Sequence, residues 1–382
     1  MAGLYIHIPF CKQACFYCDF HFSVSLQKKD DLVAALIKEL VIRKDEFNNN
    51  TIQTIYFGGG TPSLLTNAEL ESILDTVYKN YTVSSNPEIT LEANPDDLTL
   101  TRITQLSKTR VNRLSIGVQS FFEEDLKEMN RAHNATEAKT CLEFATRYFN
   151  NITIDLIYGI PNMSLTRWSQ NLDIALAFGV NHISSYALTI EPKTALHNFV
   201  ASGKYPPIDE GLALKHFNHL VEKTKQEGFV HYEISNFGKP HYFSKHNTSY
   251  WQGKPYMGIG PSAHSFNTTT RSWNVANNTQ YIKIINTGKL PNTVEVLTKQ
   301  DQYNEYIMTG LRTIWGVSLP KITQDFGAAY TTYLKAVSKP YIDKQLLVFS
   351  TQDIEGQQVE LLKATNRGKF LVDGIASQLF KI

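Results

Sequence analysis

Cys11, Cys15 and Cys18 fall within the eight-residue run Cys11-Lys12-Gln13-Ala14-Cys15-Phe16-Tyr17-Cys18, and three thiolates so close can converge on one metal centre. Their C-x3-C-x2-C spacing differs from the paired C-x2-C units of structural zinc sites, where four ligands close the coordination shell. Three cysteines leave an opening: an iron–sulfur cluster tied in this way has one iron free to take an exogenous molecule. A Cys3His zinc site completed by His21 or His7 is the alternative that the cysteines alone allow. Phe10, Phe16, Tyr17, Phe20 and Phe22 surround the thiols in sequence and predict an apolar collar that limits solvent access and tunes a cluster's potential. A second signal is Gly58-Gly59-Gly60-Thr61-Pro62-Ser63. Its glycines let backbone approach a ligand and expose amides to it, although a plain tight turn uses the same residues. The fourth cysteine, Cys141, lies in a helical pattern at 136–148 beside Leu142 and Ala145 and reads as a small buried apolar residue.

A scaffold must bring such groups together. Up to about residue 235, short β-rich runs alternate with helical patterns, which predicts an α/β domain over 1–235 with a parallel sheet and crossover helices. The strands are expected at 4–8, 52–57, 88–92, 113–117, 152–157, 182–188 and 230–234. Helical spacing appears at 31–47, through Leu32, Ala35, Leu36, Leu40 and Phe47, and at 67–78, through Leu70, Ile73, Leu74 and Val77. Six or seven βα units suit a barrel, with a doubly wound open sheet as the alternative. Glu92, Gln119, Asp155, Tyr186 and Ala187 all fall at or near the carboxyl ends of these strands, the rim where parallel barrels build their sites. His7 alternates with Tyr5 on the first strand and is expected to point inward in a packing or hydrogen-bonding role. Residues 236–298, rich in Gly, Pro, Tyr, Asn and Ser, sustain neither period and read as a functional loop region or connector. From 299 to 382, helical patterns precede a hairpin with strands at 346–349 and 359–362 and a turn at 353–357; a helix at 366–380 completes what resembles a small winged-helix module.

Composition bounds the function. Apolar residues make up 42% and charged residues 19%, which is ordinary for a globular chain with ample core. With 37 Lys+Arg against 36 Asp+Glu, the formal charge of +1 supplies no field for grasping a polyanion. No apolar run reaches the ~18 residues of a membrane span, and Met1-Ala2-Gly3-Leu4 lacks the basic region of a secretory signal, so a cytoplasmic protein is expected. Four cysteines are too few for a disulfide framework.

With Tyr17 before its last cysteine, the run resembles the C-x3-C-x-aromatic-C signature of the radical S-adenosylmethionine superfamily. That resemblance implies a partial parallel (β/α) barrel and a [4Fe-4S] cluster held by Cys11, Cys15 and Cys18. It also implies S-adenosylmethionine chelated to the open iron and cleaved, after electron transfer, to a 5′-deoxyadenosyl radical, the protein's share being to hold and shield the reaction.

A narrower resemblance, to the coproporphyrinogen-oxidase-like family, spans essentially the whole chain. It is carried by Tyr5-Ile6-His7-Ile8-Pro9-Phe10-Cys11, Gly59-Gly60-Thr61-Pro62, Ser115-Ile116-Gly117-Val118-Gln119-Ser120-Phe121, Asn130-Arg131-Ala132-His133 and Ile154-Asp155-Leu156-Ile157-Tyr158-Gly159-Ile160-Pro161. By similarity, Tyr5, Gly59, Glu92 and Ala187 would contact the cofactor on the cluster, while Gly60, Thr61, Gln119, Arg131 and Asp155 match positions that hold a second cofactor molecule in the oxidase branch. Two branches compete: an oxygen-independent coproporphyrinogen III oxidase and a heme chaperone. The oxidase has a further cysteine where this chain has Phe20, and a long extension ahead of the first strand, which here is expected almost at Met1.

His246-Asn247-Thr248-Ser249-Tyr250-Trp251 matches the H-N-x-x-Y-W motif associated with heme in the chaperone branch, offering an imidazole for iron beside two aromatics for a porphyrin face. A solvated or backbone-bonded loop histidine is the alternative for His246; His264 is a second candidate ligand, and Met257 reads as core. The resemblance therefore implies a heme chaperone that binds heme and passes it to apo-hemoproteins, including membrane hemoproteins reached by peripheral contact. Decarboxylation of coproporphyrinogen propionates is the alternative. Radical modification of RNA would call for an appended basic module, which the charge distribution does not supply.

Overall fold

The computed structural model describes residues 2–47, 50–354 and 356–382. Its first six strands are β1 (Ala2–Ile8), β2 (Ile52–Gly59), β3 (Val83–Ala93), β4 (Arg113–Gln119), β5 (Ile152–Tyr158) and β6 (His182–Ala187). They pair in sequence order and in parallel, with helices in the crossovers. Burial on both faces explains their apolar runs. On β1, Leu4, Ile6 and Ile8 pack among Leu32, Leu36 and Leu40 of the helix Lys29–Ile42, while Tyr5 and His7 alternate onto the opposite face. Helix starts are marked locally: Thr66 with Glu69 and Asn134 with Glu137 each close a reciprocal capping box.

The 230–234 segment does not add a seventh parallel strand. It forms β7 (Val230–Glu233), which folds back on β8 (Asn236–Gly238), and β8 pairs antiparallel with β6. Two residues between these strands permit a hairpin, whereas a parallel crossover needs a dozen or more. The seventh parallel strand is β9 (Tyr256–Ile259), on the other side of β1.

Residues 236–298, expected as loop or connector, instead complete the sheet. Beyond β9 come β10 (His264–Phe266), β11 (Thr270–Asn274) and β12 (Asn292–Val296), all antiparallel, for twelve strands in one open sheet. Strands of three to five residues are too short to sustain a detectable period. A buried hub ties this extension to the first helix: Glu39 accepts from Asn274, Tyr281 and the Gly260 amide, and Arg43 donates to the Gly258 carbonyl.

The carboxy-terminal module has its own core, in which Tyr303, Ile307, Leu311, Ile322, Leu334 and Leu362 are buried together. Its sheet joins β13 (Val317–Ser318), β15 (Gln357–Ala364) and β14 (Leu347–Ile354) antiparallel, β15 in the middle. The hairpin strands are longer than expected, and the expected turn at 353–357 includes Glu355, which lies outside the described residues. The helix expected at 366–380 is a 3-10 turn, Lys369–Leu371, followed by Val372–Gln378. Arg312 joins the module to β7 through Glu233, at 2.8 Å. Among the described residues no helix is long and apolar enough to cross a membrane.

Candidate cofactor site

Parallel strands that end side by side leave a crevice at their carboxyl edge, and here the crevice is a cavity of about 540 Å³. Cys11, Cys15 and Cys18, in the loop after β1, line one wall as half-buried free thiols. The opposite wall comes from Gly59 at the end of β2, Gly60 and Thr61 just beyond it, Glu92 on β3, Gln119 at the end of β4, Asp155 on β5, Ala187 on β6, and Arg131. Tyr17 lines it as well.

Arg131 organises the floor. One terminal nitrogen approaches Cys15 Sγ at 3.2 Å, and the other donates to Asn94 Oδ1 at 2.7 Å and to the Gly117 carbonyl at 2.8 Å. Its Nε is buried without a partner. A guanidinium beside thiols stabilises their thiolate form, the state that binds iron. Burial opposes this, raising the Cys11 thiol and pushing Cys18 up to about 11, so in the absence of metal those two rest as thiols.

The thiols suit an iron–sulfur cluster rather than zinc. Of the two histidines proposed for a Cys3His site, His7 has both ring nitrogens taken, Nδ1 by Tyr5 Oη at 3.0 Å and Nε2 by the His21 carbonyl at 3.0 Å, while His21 holds Asn278 through Nε2 at 2.8 Å. Among the described residues, no three Cys, His, Asp or Glu side chains gather closely enough for one ion. A multi-iron cluster is less demanding, because its cysteines attach to different irons.

The glycine run has a different use from the one expected. The Gly59 amide donates to Glu92 Oε2 at 3.2 Å and the Gly60 amide to the Ile8 carbonyl at 3.0 Å, so both are taken by the protein. Close packing is what demands glycine: a Cβ on Gly60 would lie 2.6 Å from the Phe10 carbonyl oxygen. The apolar collar is also incomplete. Phe10 is buried in the core, but Phe20 on the cavity wall is 67% exposed.

Glu92 and Asp155 are both enclosed. Burial, joined by the Asp155 charge, raises Glu92 from 4.5 to about 7 against the Tyr56 hydroxyl that bonds it at 2.8 Å. Burial likewise raises Asp155 from 3.8 to about 6, and the Ser115 hydroxyl lies 3.3 Å from it. Two enclosed carboxylates favour a cationic guest. An acid with a raised native pKa holds its proton longer when folded, so between pH 4.5 and about 7 the Glu92 contribution to stability falls as pH rises. Glu92→Gln is therefore expected to be more stable than the parent at pH 8, by up to about 3 kcal/mol, and equal to it below pH 4.5. Urea melts at the two pH values measure this; a parent that is the more stable at pH 8 would contradict it.

Tyr5 does not line the cavity; it sits behind the glycines, bonded to His7 and stacked on Tyr56 at 6.1 Å between ring centres. Of the other wall residues, Asn94 was missed in sequence and Ser115 was read only as part of a motif. Asn94 follows the last residue of β3, two positions beyond Glu92, and Ser115 lies on β4, four positions before Gln119, so nearness to those two residues was the available signal.

The H-N-x-x-Y-W run forms the helix Lys245–Trp251 near the amino ends of β1 to β3, away from the cysteines. Glu88 accepts from the Lys245 and His246 amides, at 3.1 and 3.0 Å. The expectation of His246 as an available iron ligand does not hold: it is 1% exposed, with Nδ1 on Thr54 Oγ1 at 2.7 Å and Nε2 on Tyr250 Oη at 2.6 Å. Its ring stacks on Tyr56 at 4.9 Å, and burial lowers its pKa to about 3. Asn247 lends its backbone amide to the Ser244 cap, and Trp251 lies under Arg312 at 4.9 Å. His246→Ala should cost about 2–4 kcal/mol in an unfolding titration, because it opens a void and strands two buried hydroxyls. A loss below 1 kcal/mol would show that the ring is not held as described. His264 is exposed and stacked on Trp273, and Met257 is core, 3% exposed.

Residues 5–173 match the radical SAM superfamily, and residues 297–355 match the HemN C-terminal domain. The heme chaperone HemW of Bacillus subtilis is 34% identical over 354 residues, which is 91% of this chain and 93% of that protein. HemW of Lactococcus lactis is 32% identical over 97% of each chain, and HemW of Escherichia coli 38% identical over 69% of each. Among solved structures, coproporphyrinogen III oxidase (HemN) from Escherichia coli has a TM-score of 0.83, covering 100% of this chain and 90% of that one, at 22% identity.

Proposed function

The chain belongs to the HemW family of the radical SAM superfamily, and from that membership we propose that it acts as a heme chaperone, binding heme and passing it to apo-hemoproteins. The observation that carries this reading is identity above 30% to proteins named as heme chaperones across nine-tenths or more of both lengths. The likeness to HemN concerns the fold, and Phe20 stands where the oxidase branch has a further cysteine.

In this reading Cys11, Cys15 and Cys18 would hold a [4Fe-4S] cluster, and Gly59, Glu92 and Ala187 would take S-adenosylmethionine in the cavity, whose wall also carries Gln119 and Asp155. When bound, the pair supplies one-electron reductive chemistry. The protein's residues do the rest. Arg131 braces the cysteine loop through Cys15 and fixes Asn94 and Gly117. Glu92, held by Tyr56 and the Gly59 amide, and Asp155, held by Ser115, would give the sulfonium of the ligand enclosed carboxyl partners. A cytoplasmic location, and recipients among hemoproteins, belong to the same proposal.

Mixing the heme-loaded protein with an excess of apomyoglobin tests the transfer step. The Soret band of holo-myoglobin should grow faster than with the same heme bound to albumin. Protoporphyrinogen formed from coproporphyrinogen III under anaerobic reducing conditions, without heme transfer, would assign the chain to the oxidase chemistry instead.

A further inference from the structure

We propose that heme docks with its carboxylate edge in the cleft between β7 and the carboxy-terminal hairpin, where Lys363 and Lys369 are its anion partners. The inference rests on the chaperone reading and assigns that reading a binding site.

The cleft has a volume of about 580 Å³, within the range of ~300–1,000 Å³ usual for small-molecule sites. Three separate elements build it: β7, the segment that follows the helix Lys299–Leu311, and the β14–β15 hairpin with the turn beyond. Trp315, Ile314 and Val348 give it apolar walls, and Val348 is 41% exposed. Cations line the same space. Arg312 is already neutralised, by Glu233 at 2.8 Å and Asp373 at 2.5 Å. The two lysines are not: among the described residues neither forms an ion pair with a carboxylate, and the Lys369 ammonium donates instead to the neutral His231 ring at 3.1 Å. Burial lowers both, the more enclosed Lys369 to about 8, and Lys363 is partly buried. A carboxylate arriving there relieves the cost of that burial. Carboxylates on one edge of a flat apolar body, as in heme, suit a cleft that carries two lysines without carboxylate partners beside an apolar wall.

A second observation ties this cleft to the H-N-x-x-Y-W run. Trp251, its last residue, packs under the Arg312 guanidinium, and Trp251 Nε1 is buried with no partner. The run thus reaches the cleft through Arg312, while His246 stays locked between Thr54 and Tyr250.

Hemin and hemin dimethyl ester, titrated separately by absorbance into the full-length cluster-loaded protein, test the site. Lys363→Gln and Lys369→Gln keep length and polarity, and iron content and unfolding midpoint confirm that each variant folds. Each substitution should raise the Kd for hemin about tenfold, the scale of a charged hydrogen bond, and leave the ester's Kd unchanged. A double variant that binds hemin as the parent does, or that loses hemin and ester equally, overturns the site while leaving the chaperone reading standing. Failure of the parent protein to bind hemin at all removes the chaperone reading, and the site with it.

Discussion

Cys15→Ala protein, reconstituted without oxygen, is expected to be colourless and still folded. Cys15 is half-buried in the loop after β1, and its Sγ faces the cavity rather than the core. Removing it should therefore cost no more than about 1 kcal/mol of stability, the usual range for a site away from packed core. The effect on metal is far larger. Two thiolates remain where three corners of a cluster need support, and the sulfur that Arg131 approaches at 3.2 Å is gone. Iron and sulfide should fall from about four each per chain to near zero after desalting. Normal iron with sulfide in this variant would show that Cys15 is not a ligand.

Gly59→Ala should have the largest effect on stability. Gly59 sits at φ +108°, a conformation that residues with a side chain adopt only under strain. A Cβ there would lie 2.4 Å from the His7 ring, which cannot retreat because both its nitrogens are bonded, to Tyr5 and to the His21 carbonyl. Strain and overpacking at about 1–3 kcal/mol each give a loss of roughly 3–5 kcal/mol in a denaturant titration. His7→Ala in the same background should recover part of it. Equal stability of the parent and Gly59→Ala would mean that β1 and β2 do not meet as closely as described.

How far the sequence could be read depended on how local the determinants were. Six parallel strands were visible because each is an apolar run between helical patterns, and Glu92, Gln119, Asp155 and Ala187 followed from them, since the carboxyl ends of parallel strands share one edge. The environment of His246 was not visible. Thr54, Tyr56 and Glu88, which fix it, lie far away in sequence, and a seven-residue helix in polar surroundings has too little apolar periodicity to announce a buried face. Tyr5 points to the same limit: alternation placed it on the inner face of β1, but whether an inner residue reaches the cavity or packs beneath it depends on its depth along the strand, which Gly58 decides by admitting the Tyr5 ring. Neither Lys363 nor Lys369 has a local pattern of its own, because their cleft exists only once the hairpin meets β7.

The proposed cofactor site rests on a cluster held by three cysteines, with one iron open to S-adenosylmethionine. Electron paramagnetic resonance of the dithionite-reduced, reconstituted protein, recorded before and after adding S-adenosylmethionine, tests it most directly. The account predicts the signal of a reduced [4Fe-4S] cluster whose line shape changes when the ligand is added. A protein that holds zinc and gives no signal, or a cluster signal that S-adenosylmethionine leaves unaltered, would contradict it.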